Sequence, residues 1–97
     1  MLTFEKVLGA FSDYLNEDNR YEVVTTSRGY TVMEWDSTMG DWAETWFCPT
    51  PEKMNEILRD AMAGYLEYKS THCRRALTEA EQRDIQTKLQ ALSNKLQ

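Results

Sequence analysis

The stretch that decides the fold is YEVVTTSRGYTVMEWDSTMGDWAETWFC, residues 21–48. Its first two segments, YEVVTT and YTVMEWD, are rich in β-branched and aromatic residues. They are separated by Ser27-Arg28-Gly29, which is typical of a three-residue hairpin loop with Gly29 left-handed. DSTMGD then turns the chain before WAETWFC, which predicts a third strand. Strands joined by short turns pair with their neighbours, so the stretch predicts an antiparallel meander in the order 1-2-3.

A three-residue loop fixes the register of the first hairpin. It places these residues opposite each other: Thr26 and Tyr30, Val24 and Val32, Glu22 and Glu34. The other face is the predicted core face and carries Tyr21, Val23, Thr25, Thr31, Met33 and Trp35. The turn before the third strand holds about four to six residues. Each change of one residue moves Trp42 and Trp46 to the opposite face, so their side stays open at this point.

Helical periodicity flanks the meander on both sides. Apolar residues at helical spacing predict an amphipathic helix over residues 2–16, capped by Thr3. After the meander, Thr50 and Pro51 form a helix start, and Thr78 with Glu81 forms the capping box of a final helix. The predicted buried positions are Phe4, Val7, Leu8, Phe11, Leu15, Met54, Ile57, Leu58, Ala61, Tyr65, Leu66, Ile85, Leu89, Leu92 and Leu96. We predict one α+β domain over residues 1–97 in the order α-β-β-β-α-α, with helices on one face of the sheet or on both.

Composition restricts the class of protein. With 41% hydrophobic residues the chain is expected to fold, yet no apolar run approaches the roughly eighteen residues of a membrane span. Glu5 and Lys6 interrupt the apolar pattern near the N-terminus, unlike the unbroken apolar segment of a signal peptide. Two cysteines are too few for a disulfide framework. We expect a soluble cytoplasmic protein with no cofactor.

Charge is unevenly distributed along the chain. Residues 1–67 hold 13 of the 16 acidic residues and have a net charge of −8, whereas residues 68–97 have a net charge of +3. A protein that binds nucleic acid needs clustered Lys and Arg to neutralise phosphates. We therefore expect no direct contact with nucleic acid or membrane, and a basic protein surface as the partner.

Residues with catalytic or metal-binding chemistry are few. Cys48, His72 and Cys73 are ligand types that zinc prefers, but His72 and Cys73 are adjacent and a fourth ligand is lacking. Arg74 and Arg75 favour a thiolate at Cys73, but the only histidine is its neighbour in sequence, where side chains generally diverge. Glycine-rich phosphate loops, serine elbows and calcium loops are absent from the sequence. We predict no metal site and no enzyme activity.

Residues 30–46 combine three tryptophans with acidic residues and contain no Lys or Arg. One interpretation is a solvated sheet surface that also prevents edge-to-edge pairing. The other is a partner-binding surface on which a tryptophan supplies the anchor. The candidate partner-binding residues are Glu22, Glu34, Trp35, Asp36, Asp41, Trp42 and Glu44.

The final helix supports an alternative function. Its apolar stripe is narrow, as in a coiled-coil seam, which would suit an adaptor that binds through this helix. The protein would then be a monomer or a weak homodimer. Fewer than two heptads are present, so packing on the domain's own second helix is the favoured interpretation.

The element order α-β-β-β-α resembles the double-stranded-RNA-binding domain. That family contacts phosphates with basic residues at the start of the helix after the third strand. The matching stretch here, Pro51-Glu52-Lys53-Met54-Asn55-Glu56, has one Lys against two Glu, so RNA binding is not implied.

A second resemblance agrees with the charge. The chain is similar, in element order and composition, to small acidic anti-CRISPR proteins of phages and other mobile elements. In that family, acidic side chains on the sheet and its loops imitate DNA phosphates and occupy the arginine-containing site with which a CRISPR nuclease reads its protospacer-adjacent motif. The resemblance implies an inhibitor of a CRISPR effector nuclease.

Overall fold

The computed structural model of the protein describes residues 1–96. Its elements are α1 (Phe4–Ala10), α2 (Ser12–Glu17), β1 (Tyr21–Thr26), β2 (Gly29–Asp36), β3 (Asp41–Cys48), α3 (Pro51–Thr71) and α4 (Glu79–Lys95). The strands form one antiparallel sheet in the order β1-β2-β3. The predicted α+β class and meander are confirmed.

The three predicted helix caps are confirmed. The hydroxyls of Thr3, Thr50 and Thr78 each accept a hydrogen bond from the backbone N–H three residues later, at 3.1–3.2 Å. Each bond satisfies an N–H group that has no partner inside its helix. The Glu81 carboxylate in turn accepts a bond from the Thr78 N–H at 3.0 Å, which completes the capping box.

The first predicted helix, over residues 2–16, is two short helices that meet at Phe11. Phe11 leaves the helical conformation, with φ −97° and ψ 5°, and its ring is buried. Next to this break the Ser12 hydroxyl donates to the Gly9 carbonyl at 3.0 Å. Glycine adds backbone freedom and serine offers a competing hydrogen bond, so together they account for the interruption.

The helices cover one face of the sheet. The buried cluster comprises Val7, Phe11, Tyr14, Val32, Cys48, Met54, Leu58 and Leu92. The sheet residues packed against it are Tyr21, Val23, Tyr30 and Trp46, which lie on the same face as Val32. Several further helix residues that the sequence predicts to be buried are half-buried in the structure. They are Phe4, Leu8, Leu15, Ile57, Ala61, Tyr65, Leu66 and Leu96. The sheet therefore has a helix side and an open side.

The final helix packs within the chain. Ile85, Leu89 and Leu92 are buried, and α4 contacts α3. Arg59 of α3 also donates a hydrogen bond to the Ser93 hydroxyl of α4. The apolar stripe that resembles a coiled-coil seam is thus occupied by the domain itself, as the favoured interpretation holds.

The predicted register of the first hairpin is wrong by one residue. The turn contains only Ser27 and Arg28, while Gly29 belongs to β2, pairs with Thr26 and has φ +125°. The observed pairs include Glu22 with Met33 and Val23 with Val32. A slip of one residue exchanges the faces of a whole strand. Tyr21 and Val23 are on the helix side as predicted, but Thr31, Met33 and Trp35 are on the open side, and Glu34 is on the helix side instead of opposite Glu22.

A β-bulge separates the tryptophans of β3. Residues four apart in a regular strand share a face. Trp46 pairs with Val32 on the helix side, whereas Trp42 pairs with Trp35 on the open side, because the register shifts where β2 passes from Glu34 to Trp35. Ala43 is the extra residue of β3 at this bulge.

Candidate functional site: the β2–β3 hairpin and the open face

The open face is the side of the sheet opposite the helices. Its large apolar residues are Val24, Met33, Trp35, Trp42 and Phe47, all of which lie on the face opposite Val32. Trp35 is 37% exposed and Phe47 is 49% exposed. Phe47 also lies over Gly29, where a Cβ atom would be 3.6 Å from its ring. This apolar surface has no covering element in the part of the chain that the structure describes.

Trp35 and Trp42 form an edge-to-face pair. Their ring centroids are 5.1 Å apart and the ring planes meet at 79°. The bulge at Ala43 brings the two rings together, since a regular register would have placed Ala43 opposite Trp35. Bulges commonly redirect side chains next to functional sites.

The acidic residues of the hairpin face one another. Glu34 pairs with Glu44, and Asp36 pairs with Asp41, directly across β2 and β3. Like charges in directly opposite positions of a sheet destabilise it. Within residues 1–96, these four side chains take part in no salt bridge. We call Glu34, Asp36, Asp41 and Glu44 the acidic hairpin end.

Hydrogen bonds hold part of the acidic hairpin end in place. One oxygen of Asp36 accepts bonds from the backbone N–H groups of Thr38 and Met39 at 2.9 and 3.2 Å, which orders the turn. The Tyr21 hydroxyl lies 3.3 Å from the Glu34 carboxylate, to which it donates. Burial, followed by the charge of Glu34, raises the pKa of Tyr21, so that its hydroxyl remains a donor. These carboxylates are therefore positioned on a sheet rather than on a flexible loop.

The fold adds an acidic residue that the sequence did not point to. A cleft of about 220 Å³ separates the sheet from α3 and is lined by Tyr21, Trp46, Ile57, Asp60 and Ala61. Asp60 is exposed and makes no salt bridge within residues 1–96. It lies on the same side of the sheet as Glu34 and Glu44. In the sequence it is one of several charged residues on a helix, and no local pattern marks it.

Arg20, which borders this end of the sheet, is already paired. Arg20 precedes β1, and its carbonyl accepts a bond from the Trp35 N–H at 2.6 Å. Its guanidinium binds the buried Asp18 carboxylate at 3.2 Å. Asp18 also accepts a bond from the Tyr14 hydroxyl at 2.7 Å. Arg20 is thus held by Asp18, and among the salt bridges of the described residues it has none to the acidic hairpin end.

The structure brings most of the predicted site residues together, on two sides of one hairpin. Trp35 and Trp42 are on the open side, while the acidic hairpin end includes the Glu34–Glu44 pair on the helix side. Glu22 is apart on the edge strand β1, exposed and on the open side next to Met33. Sequence reasoning missed Phe47, although its position directly after Trp46 means that one of the two must face away from the core.

The cysteines and the histidine lie apart from this hairpin end. Cys48 is buried in the core, and burial raises the pKa of its thiol. His72 and Cys73 follow α3 with left-handed backbone conformations, at φ 51° and 60°. Among residues 1–96 there is no group of three or more His, Cys, Asp or Glu side chains arranged to hold a metal ion. Over the same residues, every helix is too short or too polar to cross a membrane.

Comparisons with protein-family models, with curated proteins and with solved structures find no match to this chain.

Proposed function

We propose that this protein is a non-enzymatic inhibitor from a mobile element, which presents the acidic hairpin end to the arginine-rich nucleic-acid channel of a CRISPR effector nuclease. The carboxylates take the place of DNA phosphates in that channel. The inhibitor itself has no contact with nucleic acid, because the sheet and its surroundings are acidic.

The observation that carries the proposal is the two cross-strand pairs of like charge, Glu34 opposite Glu44 and Asp36 opposite Asp41. Like charges in directly opposite positions cost stability in the free protein. A sheet that only had to be soluble would gain from one Lys at any of these positions. A cationic partner would relieve both repulsions at once, and the positioned carboxylates would lose little side-chain entropy on binding.

The location of the acidic hairpin end supports the same conclusion. It lies at the far end of the hairpin from the Cys48–Pro51 link to α3. Asp60 extends the negative charge towards the helix side. A concentrated negative field also accelerates the encounter with a basic channel, and this effect weakens as salt is added.

The test is guided DNA binding by candidate CRISPR effector nucleases mixed with increasing amounts of this protein. The proposal predicts that DNA binding by a susceptible nuclease is lost in a dose-dependent way and partly recovers at higher salt. Unchanged DNA binding at saturating protein, across the effector types tested, contradicts it.

A matched pair of variants distinguishes the effect of this site on inhibition from the effect of net charge. Glu44→Lys changes the acidic hairpin end, whereas Glu67→Lys makes the same charge change at an exposed position near the C-terminal end of α3. We expect Glu44→Lys to abolish most inhibition and Glu67→Lys to retain it. Equal loss from both would indicate that only overall charge matters.

The alternative, an adaptor that binds through the final helix, has less support. The residues that would form its interface, Ile85, Leu89 and Leu92, are buried within the chain. They offer little apolar surface to a partner, so the hairpin is the surface that we put forward.

A further inference from the structure

We infer that the Trp35–Trp42 pair, together with Glu22, forms a binding site for an arginine side chain of the basic partner. The inference rests on the proposed function and names the chemical group that the open face recognises. It assigns the open face a role separate from that of the acidic hairpin end, which binds by charge alone.

The Trp35–Trp42 pair itself favours a cation. An edge-to-face arrangement leaves ring faces available for contact, and Trp35 is 37% exposed on a face that none of the helices within residues 1–96 covers. A cation over a tryptophan face is attracted by the ring's quadrupole. The bulge at Ala43 interrupts the regular pairing of β2 with β3, and it places Trp42 opposite Trp35.

A carboxylate lies on the same face as the tryptophan pair. Glu22 pairs with Met33, and Trp35 is two residues further along β2, so Glu22 and Trp35 are diagonal neighbours. Such neighbours are about 7–8 Å apart, which long side chains can bridge. Glu22 is exposed and makes no salt bridge within residues 1–96. Its carboxylate is thus available to a guanidinium that stacks on Trp35.

Arg20, the arginine that borders Trp35, does not fill this position. Arg20 borders Trp35 through a backbone hydrogen bond, but Asp18 holds its guanidinium, which also lies 5.6 Å from the ring centroid of Tyr21, a helix-side residue. The Trp35–Glu22 position is therefore open to an arginine from outside. Arginine fits better than lysine because its planar guanidinium stacks on aromatic rings and is more weakly hydrated.

The experiment is an NMR titration of the ¹⁵N-labelled protein with two glycine-spaced peptides of equal length and charge, one carrying arginines and the other lysines. The three tryptophan side chains give separate indole N–H signals. We expect the arginine peptide to shift the signals of Trp35 and Trp42 and to leave that of Trp46, which is on the helix side, in place. The arginine peptide should bind about three- to tenfold more tightly than the lysine peptide.

Variants on the open face complete the test. Trp35→Leu and Glu22→Gln should each remove most of the preference for arginine, whereas Thr25→Ala, at an exposed position on the other side of β1, should retain it. Circular dichroism checks that the variants are folded. Equal affinity for both peptides, unaffected by Trp35→Leu, overturns the proposed arginine-binding site but does not contradict the proposed inhibitor function. If neither peptide binds and no nuclease is inhibited, both proposals fail.

Discussion

Glu34 and Glu44 lie directly opposite each other on neighbouring antiparallel strands, and within residues 1–96 neither carboxylate pairs with a cation. In such positions side chains of opposite charge stabilise a sheet and those of like charge destabilise it. The negative charge at this end therefore makes the hairpin less stable than it would be with neutral or oppositely charged residues at these positions.

Neutralising one member of this pair should stabilise the free protein. We expect Glu44→Gln to raise the free energy of unfolding by about 0.2–1 kcal/mol, because it removes the repulsion from Glu34. In a domain of this size that raises Tm by about 1–8 °C. Differential scanning calorimetry at low salt measures the change, and the gain should shrink as salt screens the wild-type repulsion. Glu67→Gln, on an exposed part of α3, is the control and should leave Tm nearly unchanged. A lower Tm for Glu44→Gln would mean that the two carboxylates do not repel.

The buried Asp18 carboxylate should be a main stabilising contact between α2 and the sheet. It accepts hydrogen bonds from the Tyr14 hydroxyl at 2.7 Å and from Arg20 at 3.2 Å. We expect Asp18→Asn to cost about 2 kcal/mol, since hydrogen bonds to a charged group are the stronger kind, and Tyr14→Phe to cost about 1 kcal/mol. Urea denaturation gives both values. Losses below about 0.5 kcal/mol for both variants would contradict this role.

The link between α3 and α4 should be sensitive to acid. A two-pronged contact with Arg75, followed by the backbone N–H of Thr78, lowers the pKa of the Glu81 carboxylate from 4.5 to about 2. A depressed folded-state pKa means that Glu81 contributes its full stabilisation above pH 4.5 and loses it as the pH falls towards 2. Glu81→Gln should therefore flatten the pH dependence of unfolding in this window.

Thermal unfolding followed by circular dichroism at a series of pH values measures the Glu81 contribution. The neighbouring first-turn variant Glu79→Gln is the control and should keep the wild-type profile. If the profile of Glu81→Gln matches that of the wild type between about pH 2 and 4.5, the assigned contact with Arg75 is not important for stability.

The final helix should stabilise the chain without joining two copies of it. Leu89 is 4% exposed and lies in α4. Leu89→Ala should cost about 2–5 kcal/mol through loss of packing and formation of a cavity. This cost should be the same at low and high protein concentration. A stability that rises with protein concentration in the wild type, and no longer does so in Leu89→Ala, would instead favour the dimeric adaptor.

Most of the fold could be predicted from local patterns. The threonine caps, Pro51 and the capping box at Thr78 and Glu81 act within one helical turn, so the sequence specifies them directly. The meander follows equally from short turns between β-rich segments. The break at Phe11 was missed because the apolar spacing continues through it, while the interruption comes from Gly9 and Ser12.

The faces of the sheet were harder to predict. Loops of two and three residues around Gly29 are both compatible with the sequence, yet they differ by one residue and so place opposite sides of β2 in the core. The bulge at Ala43 has no signal of its own in the sequence and reverses the side of Trp42 relative to Trp46. The acidic character of the hairpin end was visible from the sequence, whereas the pairing of Glu34 with Glu44 and the nearby Asp60 depended on the tertiary structure.

The most direct test of the central claim is the affinity of the Glu34→Gln/Glu44→Gln double variant for a nuclease that the wild-type protein inhibits, measured by isothermal titration calorimetry. We predict a free protein at least as stable as the wild type that binds at least about tenfold more weakly, with a smaller dependence on salt. Wild-type affinity and salt dependence in this variant would contradict the claim that the carboxylates of the β2–β3 hairpin engage a cationic partner.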